Sequence, residues 1–339
     1  MELSRDAVTR RALEIGFDLC GVARAERTPK LARFAEWIES GQAGEMTYLA
    51  RSSDERLDPA RVLPGVRSIV SVAVVYNTDA PPAAAVSRYA WGRDYHDVLR
   101  ERLTQLLRWM AGSAGPGFEA FSCVDAGPVQ ERVFAEQAGL GWIGKNTCLI
   151  NPALGSWLFL GEILTNAVID HDAPLPDQCG TCTRCLDACP TGAIVEPYRV
   201  DARRCLSYLT IETRGQLPAE WRDALHNRIY GCDICQDVCP WNRRAATSSD
   251  PAWQPREELG SARLIDLCRL SDDAWRKVLR TSPMRRAGLR RLRRSLAYAA
   301  GTMTEAERGP ALEALEAQPS ARFPEVADAI GWARGRDAE

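Results

Sequence analysis

Two kinds of apolar pattern alternate along the first 170 residues. Residues 94–110 place apolar side chains at the spacing of one helical face, and Asp94 precedes that face as a candidate N-cap, so a helix is predicted there. The face consists of Val98, Leu99, Leu103, Leu106, Leu107 and Met110. Residues 68–76 and 156–164 are nearly continuous apolar runs, which is typical of buried strands. The pattern predicts an α/β or α+β domain with a covered sheet.

Two polar, proline-containing stretches interrupt this pattern, at residues 171–178 and 243–258. Beyond the second stretch the pattern is helical, with small residues at contact spacing that resemble a fragment of a helical repeat. The predicted helices lie within residues 272–280, 287–303 and 311–318. The chain is therefore predicted to form three domains, at residues 1–172, 173–245 and 246–339.

Composition and charge limit the kinds of partner and cellular compartment that can be expected. The 339 residues carry a formal net charge of −2, so any surface that binds nucleic acid must be local. The N-terminal residues lack the basic and then apolar order of a secretory signal, and no run of about 18 uncharged apolar residues is present. A cytoplasmic protein without a membrane span is expected.

Twelve cysteines are the main departure from an ordinary composition. Disulfides are not expected in a reducing compartment, and the clustering of the cysteines points to metal. Seven fall into two closely spaced groups, at residues 179–189 and 232–239, and Cys205 lies between the groups. The scattered ones are predicted to be plain buried thiols: Cys20, Cys123, Cys148 and Cys268.

The first group has the C-x2-C-x2-C-x3-C-P spacing of bacterial ferredoxins, in which the fourth cysteine reaches a second cluster. The second group lacks its first cysteine, and Cys205 is the substitute. Ferredoxin logic then assigns one 4Fe–4S cluster to Cys179, Cys182, Cys185 and Cys239. It assigns the other to Cys205, Cys232, Cys235 and Cys189. Zinc is the alternative, but eight cysteines and two Cys-Pro endings argue against it.

A segment of 26 residues, 206–231, separates Cys205 from Cys232 where a ferredoxin has two residues. A pure electron carrier does not need such an insertion. It either forms a helical hairpin that shields the second cluster or contributes to binding. The candidate polar and aromatic side chains are Ser207, Tyr208, Thr210, Glu212 and Arg214.

The partner redox centre is not evident from standard motifs. No G-x-G-x-x-G turn stands between a strand and a helix, and the three histidines include no D-x-H-x-x-G ligand for cobalt. Asp125 follows a short apolar stretch and precedes a Gly-Pro turn. It is either a helix cap or an enclosed carboxylic acid whose raised pKa lets it donate a proton. Residues 145–147 (Lys-Asn-Thr) either contact a polar cofactor or form a solvated loop.

Five motifs in order resemble the epoxyqueuosine reductase family: VDAGPVQER, GLGWIGKNT, CGTCTRCLDACPTGAI, CLSYLTIE and YGCDICQDVCPWN. The resemblance runs from about Arg56 to the helical tail. It implies an α+β fold with a nitroreductase-like cobalamin domain, a double 4Fe–4S ferredoxin-like module and a C-terminal HEAT-like helical domain. It also implies that cobalamin is bound without a histidine ligand and that Asp125 is the proton donor. The residues implied to line cobalamin are Arg56, Ser87, Asp125, Gln130, Glu131, Arg132, Leu149, Leu160, Ser207 and Asp233.

The resemblance implies that the chain reduces epoxyqueuosine to queuosine at the wobble position of tRNA, the final step of queuosine biosynthesis. Two clusters would relay electrons from a low-potential donor to cobalamin, and the protein would act as a monomer. A corrinoid iron–sulfur reductase of a small molecule, like the reductive dehalogenases, is the alternative. An electron-transfer module without a corrin is a third reading.

A local basic surface is the feature that a tRNA substrate requires. Nine Lys and Arg residues lie between Arg276 and Arg294, with no acid after Asp273 until Glu305. Leu289, Leu292 and Leu296 are predicted to face the interior. The residues expected to contact tRNA are Arg214, Arg243, Arg244, Arg290 and Arg291. A merely solvated basic helix is the alternative.

Overall fold

A computed structural model describes residues 2–79, 85–260 and 262–336. Within these residues the chain forms ten strands. They are β1 (Glu2–Leu3), β2 (Leu19–Arg24), β3 (Ser68–Val75), β4 (Ala120–Cys123), β5 (Trp142–Ile143), β6 (Leu149–Ile150), β7 (Leu158–Thr165), β8 (Val168–Ile169), β9 (Ile194–Glu196) and β10 (Arg199–Val200). The strands predicted at residues 68–76 and 156–164 are confirmed as β3 and β7.

Helices account for most of the remaining regular structure. The first seven are α1 (Arg5–Ile15), α2 (Pro29–Glu39), α3 (Thr47–Arg51), α4 (Ser53–Leu57), α5 (Pro59–Val62), α6 (Tyr95–Ala114) and α7 (Glu131–Gln137). The next five are α8 (Arg184–Asp187), α9 (Leu206–Ile211), α10 (Ala219–Arg222), α11 (Ile234–Asp237) and α12 (Glu257–Gly260). The last five are α13 (Leu264–Arg269), α14 (Asp272–Arg280), α15 (Gly288–Ala300), α16 (Glu305–Glu316) and α17 (Pro324–Gly335).

The central sheet has four antiparallel strands in the order β2-β3-β7-β4. All eight residues of β3 are buried, and its side chains alternate between two apolar cores. Val70, Val72 and Val74 belong to one core, whereas Ile69 and Ala73 belong to the other. The prediction of a sheet covered on both faces is confirmed, because successive side chains of a strand point to opposite faces.

Helix α6 covers one face of this sheet. Its N-cap is Asp94, which accepts a hydrogen bond from the His96 N–H at 3.1 Å, as predicted. The predicted apolar side chains Val98, Leu99, Leu103, Leu106 and Met110 are buried in the core they share with β3. Helix α7 covers the opposite face through Val133 and Phe134. Because β4 is an edge strand, the loop between β4 and α7 starts at the edge of the sheet.

The segment between the two cysteine groups packs against the helical tail. Leu206, Leu209 and Tyr230 share one apolar core with α13 to α17. Helix α15 lies at the centre of this core, where Leu292 and Leu296 are fully buried and Leu289 packs at its edge, as predicted. The inserted segment thus packs against the helical tail as part of the same apolar core. It forms two short helices, α9 and α10, not a long helical hairpin.

The basic run from Arg276 to Arg294 does not form one solvated face. Arg293 and Arg294 are completely buried. Arg293 pairs with Asp272 at 2.9 Å, and Arg294 donates to backbone carbonyl groups. The prediction that all nine basic residues share a surface is wrong, because their partners come from segments far away in the sequence. No described helix has the length and apolar character needed to cross a membrane.

Candidate functional site

Asp125 stands on the loop that leaves the central sheet after β4. Its backbone adopts a left-handed conformation with φ of 56°, which is uncommon for a residue other than glycine. The Asp125 N–H donates to Oε1 of Glu131 at 2.6 Å, so the first residue of α7 holds the loop in place. The Asp125 side chain remains 48% exposed. The strained backbone therefore presents a carboxylate to an open space.

His96 connects Asp125 to a second, buried carboxylate. The His96 Nε2 atom lies 3.2 Å from Oδ2 of Asp125, and Nδ1 lies 2.7 Å from Oδ1 of Asp94. The ring is stacked on Tyr95 with 4.0 Å between centroids. Arg285 lies 3.1 Å from the other oxygen of Asp94. His96, in the first turn of α6, thus bridges the N-cap carboxylate of Asp94 and the loop carboxylate of Asp125.

The ionisation of this triad differs from the sequence-based expectation. Burial alone would raise the pKa of Asp125, but the hydrogen bond and charge of His96 bring it below its ordinary value. Burial disfavours the charged His96 ring, yet its bonds to Asp125 and Asp94 raise the pKa of His96 to about 9. The predicted raised pKa of Asp125 is therefore wrong. The alternative of a helix cap is also wrong, since α7 begins six residues later without a side-chain cap.

The predicted cofactor residues around Asp125 form one connected set. Arg56 is buried and donates to the Val129 carbonyl at 3.1 Å, and Gln130 donates to the Arg56 carbonyl at 3.0 Å. Burial raises the pKa of Glu131 to about 8, and the Asp125 charge acts in the same direction. Glu131 is therefore largely neutral at pH 7. These hydrogen bonds anchor the loop that carries Asp125.

A second set of predicted cofactor residues lies near the second cysteine group. The Ser87 hydroxyl is buried and makes no hydrogen bond of good geometry among the described residues, although it lies close enough to the Asp233 carboxyl to lower the pKa of that group. Asp233 accepts from the Arg88 N–H at 2.8 Å, and burial raises the pKa of Asp233 to about 6. Gly231, with φ of 72°, lies so close to Ser87 that a Cβ atom would stand 2.3 Å from its Oγ. The Ser87 hydroxyl therefore retains capacity for a further polar contact.

Arg132 and Cys148 link the two sets. The charge of Arg132 lowers the pKa of the Glu131 carboxyl, and Arg132 donates to the Thr147 carbonyl at 2.6 Å. A hydrogen bond with the Cys235 thiol and the charge of Arg132 lower the pKa of the Cys148 thiol, whereas the charge of Asp233 raises it. Cys148, predicted to be a plain buried thiol, is thus adjacent to the second cysteine group.

The remaining predicted cofactor residues are apolar or lie near the clusters. Leu149 is buried in the core beneath α7, whereas Leu160 of β7 is only partly buried there. Ser207 lies in the first turn of α9, directly after the Cys205–Leu206 pair, and is partly exposed. Interactions through Arg132 and Cys148 thus connect the predicted residues around Asp125 to those near the second cysteine group.

The eight clustered cysteines fall into two groups of interacting thiols. The first contains Cys179, Cys182, Cys185 and Cys239. The second contains Cys189, Cys205, Cys232 and Cys235. Within the described residues, no three metal-binding side chains close on a single point as the ligands of one ion do. The arrangement is two loose groups of four thiols, and each group draws one cysteine from the other run.

Residues 145–147 tie the sheet domain to both cysteine runs. The Lys145 ammonium donates to the carbonyls of Gly180 at 2.6 Å and Cys182 at 3.1 Å. Asn146, which is buried, donates to the Cys235 carbonyl at 3.3 Å. The prediction of a freely solvated loop is wrong, since its polar groups bind backbone atoms of the cysteine loops, and contact with a polar cofactor stays a prediction.

The inserted segment uses its polar side chains internally. The Tyr208 hydroxyl accepts from the Glu45 N–H at 2.7 Å, and the Thr210 hydroxyl accepts from the Gly231 N–H at 2.9 Å. Both residues are buried. Glu212 pairs with Arg286 at 2.6 Å. The segment therefore joins the cluster region to the tail instead of offering these side chains to a ligand.

The arginines predicted to contact tRNA differ in availability. Arg214, Arg243 and Arg244 are exposed. Arg290 pairs with Glu325 at 2.8 Å, and Arg291 is partly buried and donates to the carbonyls of residues 286 and 287. The first three thus offer charge to a partner more directly than the last two.

His96 is the main functional residue that the sequence reasoning missed. The sequence motifs bear on histidines only as cobalt ligands, whereas His96 binds carboxylates through both ring nitrogens. The available signal was its position at the start of a predicted helix, next to the Asp94 cap. Its contact with Asp125 spans 29 positions and leaves no local pattern.

Comparison with known proteins places this site in a class. A family model described as a 4Fe-4S double cluster binding domain matches residues 178–242, which contain all eight cysteines of the two groups. Together with the α+β domain, this match defines a double-cluster iron–sulfur oxidoreductase. A second model, described as epoxyqueuosine reductase QueG, DUF1730, matches residues 56–126.

Whole-chain relatives identify the family. The epoxyqueuosine reductase of Pseudomonas aeruginosa is 42% identical over 96% of this chain and 92% of its own length. A crystal structure of an epoxyqueuosine reductase with an epoxyqueuosine-modified tRNA-Tyr stem loop has a TM-score of 0.87 and 32% identity, over 98% of this chain and 90% of that one. The Bacillus subtilis enzyme, with its catalytic aspartate loop swung out of the active site, has the same TM-score and identity, over 98% and 89%. The chain belongs to the epoxyqueuosine reductase family.

Proposed function

We propose that this protein reduces epoxyqueuosine to queuosine at the wobble position of tRNA. Family membership and the modified stem loop bound to a related structure support this substrate. The observation that carries the proposal is the series of hydrogen bonds and charge interactions from Asp125 through Glu131, Arg132 and Cys148 to Cys235. These interactions bring the proposed proton donor near the cysteines that would bind the electron-donating cluster.

The reaction assigns a role to the Asp125–His96 pair. Removal of the epoxide oxygen consumes two electrons and two protons, breaks both carbon–oxygen bonds, releases water and leaves a carbon–carbon double bond. Asp125 is ionised and His96 is protonated at neutral pH. The pair holds one proton as a unit, which passes from His96 through Asp125 to the oxygen, and reprotonation of His96 from solvent supplies the second proton by the same route. This sharing replaces the expected carboxylic acid of raised pKa.

The two groups of thiols are the proposed ligands of two 4Fe–4S clusters. Cys179, Cys182, Cys185 and Cys239 would bind one cluster, and Cys189, Cys205, Cys232 and Cys235 the other. The match to a double cluster binding domain supports this assignment, as does the exchange of one cysteine between the runs. The second group adjoins Cys148 and Asp233, so its cluster would be the one nearer the reaction.

The residues of the site fit cobalamin, the cofactor that the family implies. Its amide side chains could pair with the buried Ser87 hydroxyl, the partly buried Leu160 offers apolar contact, and Leu149 contributes to the core that supports Leu160. Arg56, Gln130, Glu131, Arg132, Ser207 and Asp233 complete the proposed binding set. Both ring nitrogens of His96 are engaged by carboxylates, which suits a corrin held without that histidine. When bound, cobalamin supplies a strongly nucleophilic and reducing cobalt centre.

Several finer expectations remain part of this proposal. The domains are a nitroreductase-like cobalamin domain at residues 1–172, a ferredoxin-like module at 173–245 and a HEAT-like helical domain at 246–339. The protein acts as a monomer and takes electrons from a low-potential donor. The packing of the tail helices around α15 supports the last domain.

Nucleoside mass spectrometry on bulk tRNA tests the function. Deletion of the gene should cause epoxyqueuosine to accumulate and queuosine to disappear, and the wild-type gene should reverse both changes. The Asp125→Asn variant should bind both clusters and cobalamin yet fail to restore queuosine. Unchanged queuosine in the deletion strain, with no second enzyme present, would overturn the proposal and favour a corrinoid reductase of a small molecule.

A further inference from the structure

Tyr48 and Arg286 form a stacked pair from distant parts of the chain. The Arg286 guanidinium carbon lies 5.0 Å from the centroid of the Tyr48 ring. Tyr48 belongs to α3, and Arg286 precedes α15 in the tail. Glu212 of the inserted segment fixes the guanidinium through a bond of 2.6 Å to Nε. Three segments therefore hold this pair in one orientation.

The pair lies near the Asp125 site. Arg285, the residue before Arg286, lies 3.1 Å from Asp94, and His96 joins Asp94 to Asp125. The charge of Arg286 also acts on Asp125. Arg286 is 39% exposed and Tyr48 is 40% exposed. The pair thus presents a flat surface to solvent beside the carboxylate.

An exposed aromatic ring of this size needs an explanation. Within the described residues, five large apolar or aromatic side chains are strongly exposed. The other four lie on α1, on β8 and on the β9–β10 hairpin: Leu13, Val168, Val195 and Tyr198. Tyr48 is the member of this set that borders the site, and an internal packing role does not require its exposure.

We infer that Tyr48 and Arg286 form a platform on which a tRNA base next to the modified nucleotide stacks. This inference rests on the proposed function. Proteins that read single-stranded loops stack unpaired bases on aromatic rings and guanidinium planes. A nucleotide whose base enters the site draws its neighbour to the rim, where this pair lies. The platform holds the loop in the position that brings the epoxide to Asp125.

Two measurements on the holoenzyme test the platform. The first is the affinity for an anticodon stem-loop RNA, measured by fluorescence anisotropy. The second is the quenching of 2-aminopurine placed beside the wobble nucleotide, which reports stacking directly. Tyr48→Ser should weaken binding roughly 5- to 100-fold and abolish the quenching. Tyr48→Phe should retain both, since the ring and not the hydroxyl forms the platform.

Controls separate stacking from other effects. Leu13→Ser removes an exposed apolar side chain from α1 and should change neither measurement. Cluster absorbance should be equal in all variants, which shows that each is folded. The loss caused by Tyr48→Ser should persist at high salt, because stacking releases no counterions.

Each other outcome overturns the inference. Equal affinity and quenching in wild type and Tyr48→Ser would show that no base stacks there. Equal losses in Tyr48→Phe and Tyr48→Ser would assign the effect to the hydroxyl. In both cases, queuosine formation by the wild type would leave the proposed function intact. A wild-type enzyme that neither binds the stem loop nor forms queuosine would remove both proposals.

Discussion

At the scale of single residues, His96 sets the charge of the site. Removal from water normally raises the pKa of a carboxylate, but the histidine between Asp94 and Asp125 offsets this effect for both partners. The Asp94 side chain is 1% exposed, so its charge is poorly screened and strongly favours the protonated ring. The carboxylate that faces the substrate is thereby kept ionised with a proton one hydrogen bond away.

The pH dependence of the reaction should report this histidine. His96 has a pKa raised to about 9 from 6.5, so it carries its proton below pH 9 and loses it as the pH rises further. Single-turnover rates should therefore fall above a pH of about 9. His96→Asn should slow turnover at pH 7 by about 100-fold and abolish this alkaline limb. An unaltered limb in His96→Asn would show that another group supplies the proton.

Glu131 allows a contrasting prediction at the same scale. Its carboxyl is largely neutral at pH 7, because burial raises its pKa to about 8, and its Oε1 positions the Asp125 N–H. Glu131→Gln retains a neutral group with the same acceptor, so turnover at pH 7 should be nearly unchanged. Glu131→Ala removes the acceptor and should slow turnover severely while the clusters remain. Equal losses in both variants would mean that the charge of Glu131 is required.

At the scale of elements, two buried arginines attach α15 to its surroundings. Arg294 donates to the carbonyls of Leu209, Thr213 and Gly215 at 2.6 to 2.8 Å. These carbonyls lie at and after the end of α9, where helix carbonyls lack partners of their own. The cost of burying the charge is offset by these bonds and by the favourable end of the helix dipole.

Loss of this attachment should destabilise the fold. Arg294→Met keeps the bulk of the side chain but leaves three buried carbonyls with fewer donors, a cost of about 1–3 kcal/mol for an unsatisfied group. The midpoint of thermal unfolding should fall by several degrees. Arg276→Met is the matched control, since Arg276 pairs only with the exposed Asp273. An equal midpoint in both variants would show that the buried bonds add little.

The elements that the sequence predicted are those whose signal is local. The helix after Asp94 and the strands β3 and β7 follow from periodicity, capping and β-branched runs within a few residues. The prediction of two sets of cysteine ligands also rests on spacing alone, because ferredoxin runs exchange their fourth cysteine. Features of this kind can be predicted without knowing which distant segments pack against them.

What the sequence did not predict depends on contacts between distant segments. The basic run near Arg294 suggests a solvated face, since the carbonyls that bind Arg294 and the Asp272 that binds Arg293 come from other elements. The pKa of Asp125 likewise depends on a histidine 29 positions away. The charge state of a group follows from its neighbours in space, and those appear only with the fold.

At the scale of the whole molecule, the two groups of thiols should load as separate clusters. The intact protein should contain about eight iron atoms per chain, four from each cluster. Cys239→Ser should disturb the cluster of the first run, although Cys239 lies in the second. Iron analysis and electron paramagnetic resonance should then show the other cluster intact. Cys232→Ser identifies the signal of the other cluster. If Cys239→Ser abolished that same signal, the assignment of the fourth ligands would be reversed.

Recognition of tRNA by a near-neutral protein depends on which arginines are free to meet phosphates. Arg243 and Arg244 are exposed after the second cysteine run, whereas the charge of Arg290 is balanced by Glu325 and Arg291 is bound to backbone carbonyls. A charge that already has a partner releases fewer counterions on binding RNA. The surface near the clusters should therefore contribute more to affinity than the exposed side of α15.

Paired neutralisations compare the two surfaces. The double variant Arg243→Gln with Arg244→Gln should weaken tRNA binding and lower the slope of log affinity against log salt by roughly 1.5, as expected for two lost phosphate contacts. The double variant Arg290→Gln with Arg291→Gln should change both quantities less. Filter binding over a range of salt concentrations measures them. A larger effect of the second pair would place the RNA along α15, because only phosphates near those arginines could break their existing bonds.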